Sequence, residues 1–145
     1  MSVRTYSLAS DGTTKLAPNF SVAEFRCKDG SDKILISDDL VKVLQAIRDH
    51  FAAPVKITSG YRTPAYNRRV GGVSNSQHVQ GTAADINVDG QSPTQLYWAI
   101  VNGRIPGVND ESMGVGLYKT FVHVDVRGHK ARWTGSGIGK LEVES

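Results

Sequence analysis

Cysteine is all but absent: Cys27 is the sole thiol in 145 residues. One cysteine cannot build an internal disulfide framework, and it excludes a thiolate-based structural zinc site. It is expected as a small buried apolar residue, since its neighbours Arg26 and Lys28 supply no paired histidine to activate it. Long hydrophobic runs are missing, and no apolar stretch approaches the length of a membrane span. The opening Met-Ser-Val-Arg-Thr-Tyr-Ser-Leu lacks the charged-then-apolar layout of a signal peptide, so either such a segment has been removed or that export route is not used. Charge of one sign is scarce as well, with 17 Lys and Arg against 14 Asp and Glu for a formal +3. No basic stripe interleaved with aromatics exists, which argues against a nucleic-acid partner. What remains, 39% hydrophobic and 21% charged, is the composition of one globular domain with a real core.

The patterning along the chain is mixed. Residues 3–8 alternate before the turn signal Asp11-Gly12 and predict a short strand. Ser21 followed by Glu24 forms a capping box that opens a short helix between Phe20 and Phe25. Residues 28–32 read as a loop. Ser37 then caps a helix whose apolar stripe is Leu40, Val43, Leu44, Ile47 and Phe51, with Asp38 and Asp39 in its first turn and Arg48 and His50 in its last. Residues 55–58 and 83–88 read as strands. Pro64 opens a short helix over 64–70, Ser92-Pro93 opens another, and 73–81 reads as an irregular polar loop. Residues 113–118 and 121–127 predict a hairpin turning near Lys119-Thr120. The expected fold is α+β, a small antiparallel sheet flanked by helices, in one domain over 1–133 followed by a loose Gly/Ser-rich tail over 134–145. Gly114-x-Gly116 is too short to be a dinucleotide-binding fingerprint.

The chemistry gathers in two stretches. Ser-Gln-His-Val-Gln-Gly-Thr-Ala-Ala-Asp carries His78 and Asp85, and Phe-Val-His-Val-Asp-Val-Arg carries His123 and Asp125. Residues two apart on a strand share a face. Val122, Val124 and Val126 therefore take one face and Phe121, His123 and Asp125 the other. In residues 83–88, Ala84, Ile86 and Val88 form the apolar side with Asp85 opposite. If the two strands lie in one sheet, Asp85 and His123 meet on one surface, with His78 brought in from the preceding loop by the turn at Gly81 and room for an ion left by Ala83. Two imidazoles and a carboxylate with an open fourth position are the usual ligand set of a catalytic zinc site.

The pattern Ser76-x-His78-x-x-Gly81-x-Ala83-x-Asp85, with His123 in Phe-Val-His-Val-Asp, resembles the zinc D-alanyl-D-alanine carboxypeptidases and related peptidoglycan peptidases of the M15 class. Thr58-Ser59-Gly60-Tyr61-Arg62-Thr63-Pro64-Ala65-Tyr66-Asn67 and Phe20-Ser21-x-x-Glu24-Phe25 are similar to the same group, so the resemblance spans about residue 18 to Trp133 and is nearest the often phage-encoded branch. It implies one zinc ion held by His78, Asp85 and His123, and a hedgehog/DD-peptidase-like single domain. It also implies Arg62 as the arginine that meets a substrate carboxylate or a developing oxyanion. The implied partner is a peptidoglycan peptide, met by a monomer in the periplasm or outside the cell. The absent leader suits a phage protein released at lysis or carried on a virion. Ser76 and Gln77 either hydrogen-bond substrate or hold the loop.

One departure stands out. Several relatives carry an acid three residues before the last histidine, where this chain has Thr120. A hydroxyl is no useful proton acceptor at neutral pH. Asp125 is the nearest acid with the right facing and is the expected general base. The alternatives are Asp110, Glu111 and His129, and the competing role for Asp125 is to orient a ligand or pair with Arg127 or Arg62. The gap at Thr120 also admits a second function, a zinc-stabilised but inactive cell-wall or protein binding module like the hedgehog signalling domains. His123-x-Asp125 matches half of a non-haem iron triad, but the distant later histidine of that motif is missing.

Overall fold

The computed structural model describes residues 2–135 and residue 138. Most of the expected tail therefore lies outside the described residues. The chain enters through β1 (Val3–Ser7), a single turn α1 (Leu8–Asp11), and the short strands β2 (Lys15–Ala17) and β3 (Phe20–Ser21). The capping box at Ser21 and Glu24 is present and opens a 3-10 turn over Val22–Phe25. β4 (Lys33–Ser37) follows and pairs antiparallel with β1. The sequence pattern gave no notice of β4, because a five-residue edge strand is defined by its partner rather than by its own periodicity.

Helix α2 (Asp38–Phe51) begins on the Ser37 side chain, which accepts from the Leu40 N–H, and buries Leu40, Val41, Val43, Leu44 and Ile47. It stops at Ala52 in the left-handed region, with φ 50°. This stripe packs against β5 (Val55–Ser59) and β6 (Ala83–Val88). A second helix, α5 (Pro93–Val101), covers β7 (Gly114–Leu117) and β8 (Val122–Asp125) on the same side. Together they bury Ala84, Ile86, Val88, Val122 and Val124, the apolar face expected from alternation, along with Val115 and Leu117 of β7.

The main sheet has the order β5-β6-β8-β7-β9, with β9 spanning Ala131–Thr134. Its pairings are antiparallel, as expected, except the last, where β9 joins β7 in parallel. The other face carries the two short helices α3 (Pro64–Arg69) and α4 (Gln77–Gln80). The region expected as an irregular loop thus contains one helical turn, capped by Ser76 and closed by Gly81 at φ 78°. Four residues are far too few to hold a helix in isolation. This turn is kept by the chain around it: the Gly81 carbonyl accepts from the Ser37 N–H at 2.9 Å, and a Cβ on Gly81 would meet the Leu35 carbonyl at 2.6 Å.

Candidate metal centre

The register of the sheet places the site. Asp85 on β6 lies directly opposite His123 on β8, and α4 holds His78 above them. All three side chains are buried, and one ligand atom from each lies within 4.8 Å of the others. His78 Nε2 is 3.2 Å and His123 Nδ1 is 3.0 Å from the same oxygen, Asp85 Oδ1.

Each imidazole is oriented from behind. His78 Nδ1 donates to the Gly60 carbonyl at 2.8 Å, which leaves Nε2 facing the site. Gly60 comes this close because its segment passes against Phe25, where a Cβ would lie 2.8 Å from the Phe25 carbonyl oxygen. His123 Nε2 donates to Asp125 Oδ2 at 2.7 Å, which leaves Nδ1 facing the site. Two imidazole nitrogens and a carboxylate oxygen, each ring held by a second hydrogen bond, fit a tetrahedral divalent ion with one open position.

The electrostatics follow from burial and pairing. Burial alone raises the Asp85 carboxyl, but contacts with His123 and His78 outweigh it and bring its pKa to about 2. Burial disfavours charge on His123, yet the hydrogen bonds to Asp125 and then Asp85 win and raise its pKa above 6.5. For Asp125, burial is again overcome, here by Arg127 and His123, so its carboxyl stays well below the usual range.

Asp125 shares the sheet face with His123, as period-2 geometry predicts, but it does not open to the pocket as a general base would. Its side chain is 0% exposed. Arg127 donates to it through Nε at 2.8 Å and Nη2 at 2.7 Å, and the backbone N–H groups of Gly114 and Arg127 donate to Oδ1. A Cβ on Gly114 would lie 2.5 Å from Asp125 Oδ2, so glycine there is what admits the pair. Every oxygen of Asp125 is engaged, on the side of His123 turned away from Asp85. The other expected acids are tied elsewhere: Asp110 to Arg132 at 3.0 Å and Glu111 to Lys130 at 3.8 Å. His129 and Thr120 are exposed.

A pocket of about 530 Å³ opens over the triad, lined among others by Arg62, Ser76, Gln77, Tyr118, Arg127 and Trp133. Arg62 Nη2 stands 3.7 Å from Asp85 Oδ2, while its Nε and Nη1 donate to Ser59 and Asn67. Gly72 makes room for that contact, since a Cβ there would meet Asn67 Oδ1 at 2.0 Å. Ser76 caps α4 by accepting from the His78 N–H, and Gln77 Oε1 accepts from the Thr82 hydroxyl at 2.7 Å. Both hold the turn and still face the pocket. Sequence reasoning missed Tyr118 and Trp133; the one signal for Trp133 was Gly116, which clears the space its indole occupies.

A model of the peptidase M15 family matches residues 18–125. The chain belongs to that family. It is 31% identical over 147 residues to the zinc D-Ala-D-Ala carboxypeptidase of Streptomyces albus G, an alignment covering 94% of this chain and 55% of that relative. The chain thus spans about half the length of the curated relative it matches. The family match includes all three candidate ligands, while Arg127 and Trp133 lie beyond its end.

Proposed function

We propose that this protein is a zinc-dependent peptidase that hydrolyses a peptide bond of bacterial cell-wall peptidoglycan, as a D-Ala-D-Ala-type carboxypeptidase or endopeptidase. The observation that carries the proposal is the convergence of His78 Nε2, Asp85 and His123 Nδ1 at the floor of a pocket flanked by two arginines. Zinc would be held by these three groups and would supply a bound water of lowered pKa and a Lewis acid for the scissile carbonyl. Asp85 enters as a ligand already ionised, which the low pKa ensures. Arg62 stands 3.7 Å from Asp85 Oδ2 and presents positive charge to an anionic substrate group. Asp125 acts through His123 as a positioning residue. Ser76 and Gln77 line the approach to His78. Among the described residues no helix is long and apolar enough to cross a membrane. The place of action is the cell wall, reached from the periplasm or from outside.

Mass spectrometry of muropeptide digests with and without zinc tests this. Zinc-dependent loss of a terminal D-alanine marks a carboxypeptidase, and separation of cross-linked stems marks an endopeptidase. Unchanged muropeptides in both conditions, from protein carrying one zinc, would leave the second reading: a zinc-stabilised binding module. That reading draws on the lack of a carboxylate at position 120.

A further inference from the structure

Beyond His123 and Asp125, the pocket wall formed by the β7–β8 hairpin and β9 has no role in the reading above. Gly116 pairs with His123 on one side and with Trp133 on the other. The Trp133 indole crosses the gap that Gly116 leaves, where a Cβ would lie 2.4 Å from Nε1. Its ring sits 5.1 Å from the His123 ring, and the Arg127 guanidinium lies over it at 5.0 Å. Tyr118 is held as firmly. Phe121 stacks on its ring at 4.5 Å and 12°, and Gly135 presses on its Cδ2–Cε2 edge, where a Cβ would approach to 2.1 Å.

These rings are crowded by their neighbours, so the wall is not a stacking platform. What it presents is a hydroxyl. Trp133 Nε1 donates to Tyr118 Oη at 2.9 Å. An indole N–H can only donate, so the phenol oxygen is the acceptor and its own proton remains to be given to something else. Tyr118 lines the pocket shared with the metal triad. Hydrogen-bond donors fixed in advance where negative charge develops are the most effective form of transition-state stabilisation.

We propose that Tyr118 is a catalytic hydrogen-bond donor, its hydroxyl binding the scissile carbonyl oxygen as that atom becomes anionic, with Trp133 as the residue that positions it. The inference rests on the peptidase reading above. The phenol keeps its proton throughout. Water adds its oxygen to the acyl carbon, the C–N bond breaks, and a proton from that water passes to the leaving amine.

The test compares zinc-loaded parent, Tyr118→Phe and Trp133→Phe on a D-Ala-D-Ala peptide, with zinc content measured for each. Tyr118→Phe retains the ring and its stack on Phe121, and removes only the donor. Its kcat is expected to fall about 10²- to 10³-fold with KM little changed. Trp133→Phe keeps the phenol but frees it, and loses less. A second readout is binding of a phosphinate peptide that mimics the tetrahedral intermediate: Tyr118→Phe should weaken it by a factor similar to the loss in kcat, while product affinity holds. The proposal is overturned if Tyr118→Phe keeps kcat and phosphinate affinity within about twofold of the parent, if only KM rises, or if the loss follows lost zinc. A parent that neither cleaves the peptide nor binds the phosphinate overturns the peptidase reading itself.

Discussion

His123 stands between two carboxylates: Asp85 Oδ1 lies 3.0 Å from its Nδ1 and Asp125 Oδ2 lies 2.7 Å from its Nε2. One imidazole thus separates a candidate ligand carboxylate from one that supports the ring. Asp125 is buried, paired with Arg127, and placed behind the ring, the position of a group that orients an imidazole.

Asp125→Asn should lower zinc affinity by about 10- to 100-fold, the usual cost of losing a group that orients a metal-bound histidine. Saturating zinc should restore most of the turnover. Activity that stays lost in a fully metallated variant would make Asp125 a proton acceptor instead.

His78→Ala removes one ligand and the hydrogen bond to Gly60. Metal analysis should find the bound zinc reduced from one per chain to a small fraction, with peptidoglycan cleavage abolished. In the parent, chelation should abolish cleavage and added zinc should restore it. Cleavage at the parental rate by His78→Ala would rule out this site.

In the range where His123 titrates, metal-free stability and zinc affinity should respond to pH with opposite signs. In the metal-free protein the raised pKa of His123 gives stability that is complete below pH 6.5 and is lost as pH rises through the higher folded value. The lowered pKa of Asp85 gives stability present above pH 3.8 and lost as pH falls towards about 2. Zinc needs Nδ1 of His123 without its proton, so zinc affinity should rise with pH where the first contribution fades. Melting temperatures of metal-free protein across this range, and zinc titration calorimetry in two buffers of different ionisation heat, measure both. A proton count of zero on zinc binding near neutral pH would contradict the assignment.

Two glycines should respond differently to a methyl group. Gly116→Ala meets the Trp133 indole, a side chain that can shift, and should cost about 1–3 kcal/mol in chemical denaturation. Gly60→Ala meets the Phe25 backbone, whose carbonyl also accepts from the Tyr61 N–H, and should cost more. Equal losses for the two would mean that the backbone at Phe25 yields as easily as the indole.

Much of this architecture was legible in the chain. The stripe Leu40, Val43, Leu44 and Ile47 gives α2 without help, because a 14-residue amphipathic helix carries its own period. Strand alternation puts Asp85 and His123 on one face, and the register then sets them opposite each other. Less was legible where order comes from distant partners. β4 exists through β1, α4 through Ser37 and Leu35, and β9 through a parallel pairing with β7.

The sequence by itself determined which side chains could meet: alternation is a property of the backbone and assigns a face to every residue of a strand. It put His123 and Asp125 on the same side and pointed to His78, Asp85 and His123 as a candidate ligand set. Only the tertiary structure decided which nitrogen faces the candidate metal site and which carboxylate stands behind. That choice depends on the rotation of the ring and on groups far along the chain, Gly60 behind His78 and Gly114 with Arg127 around Asp125. Period-2 geometry says which way a side chain leaves the sheet, but not what will cover it.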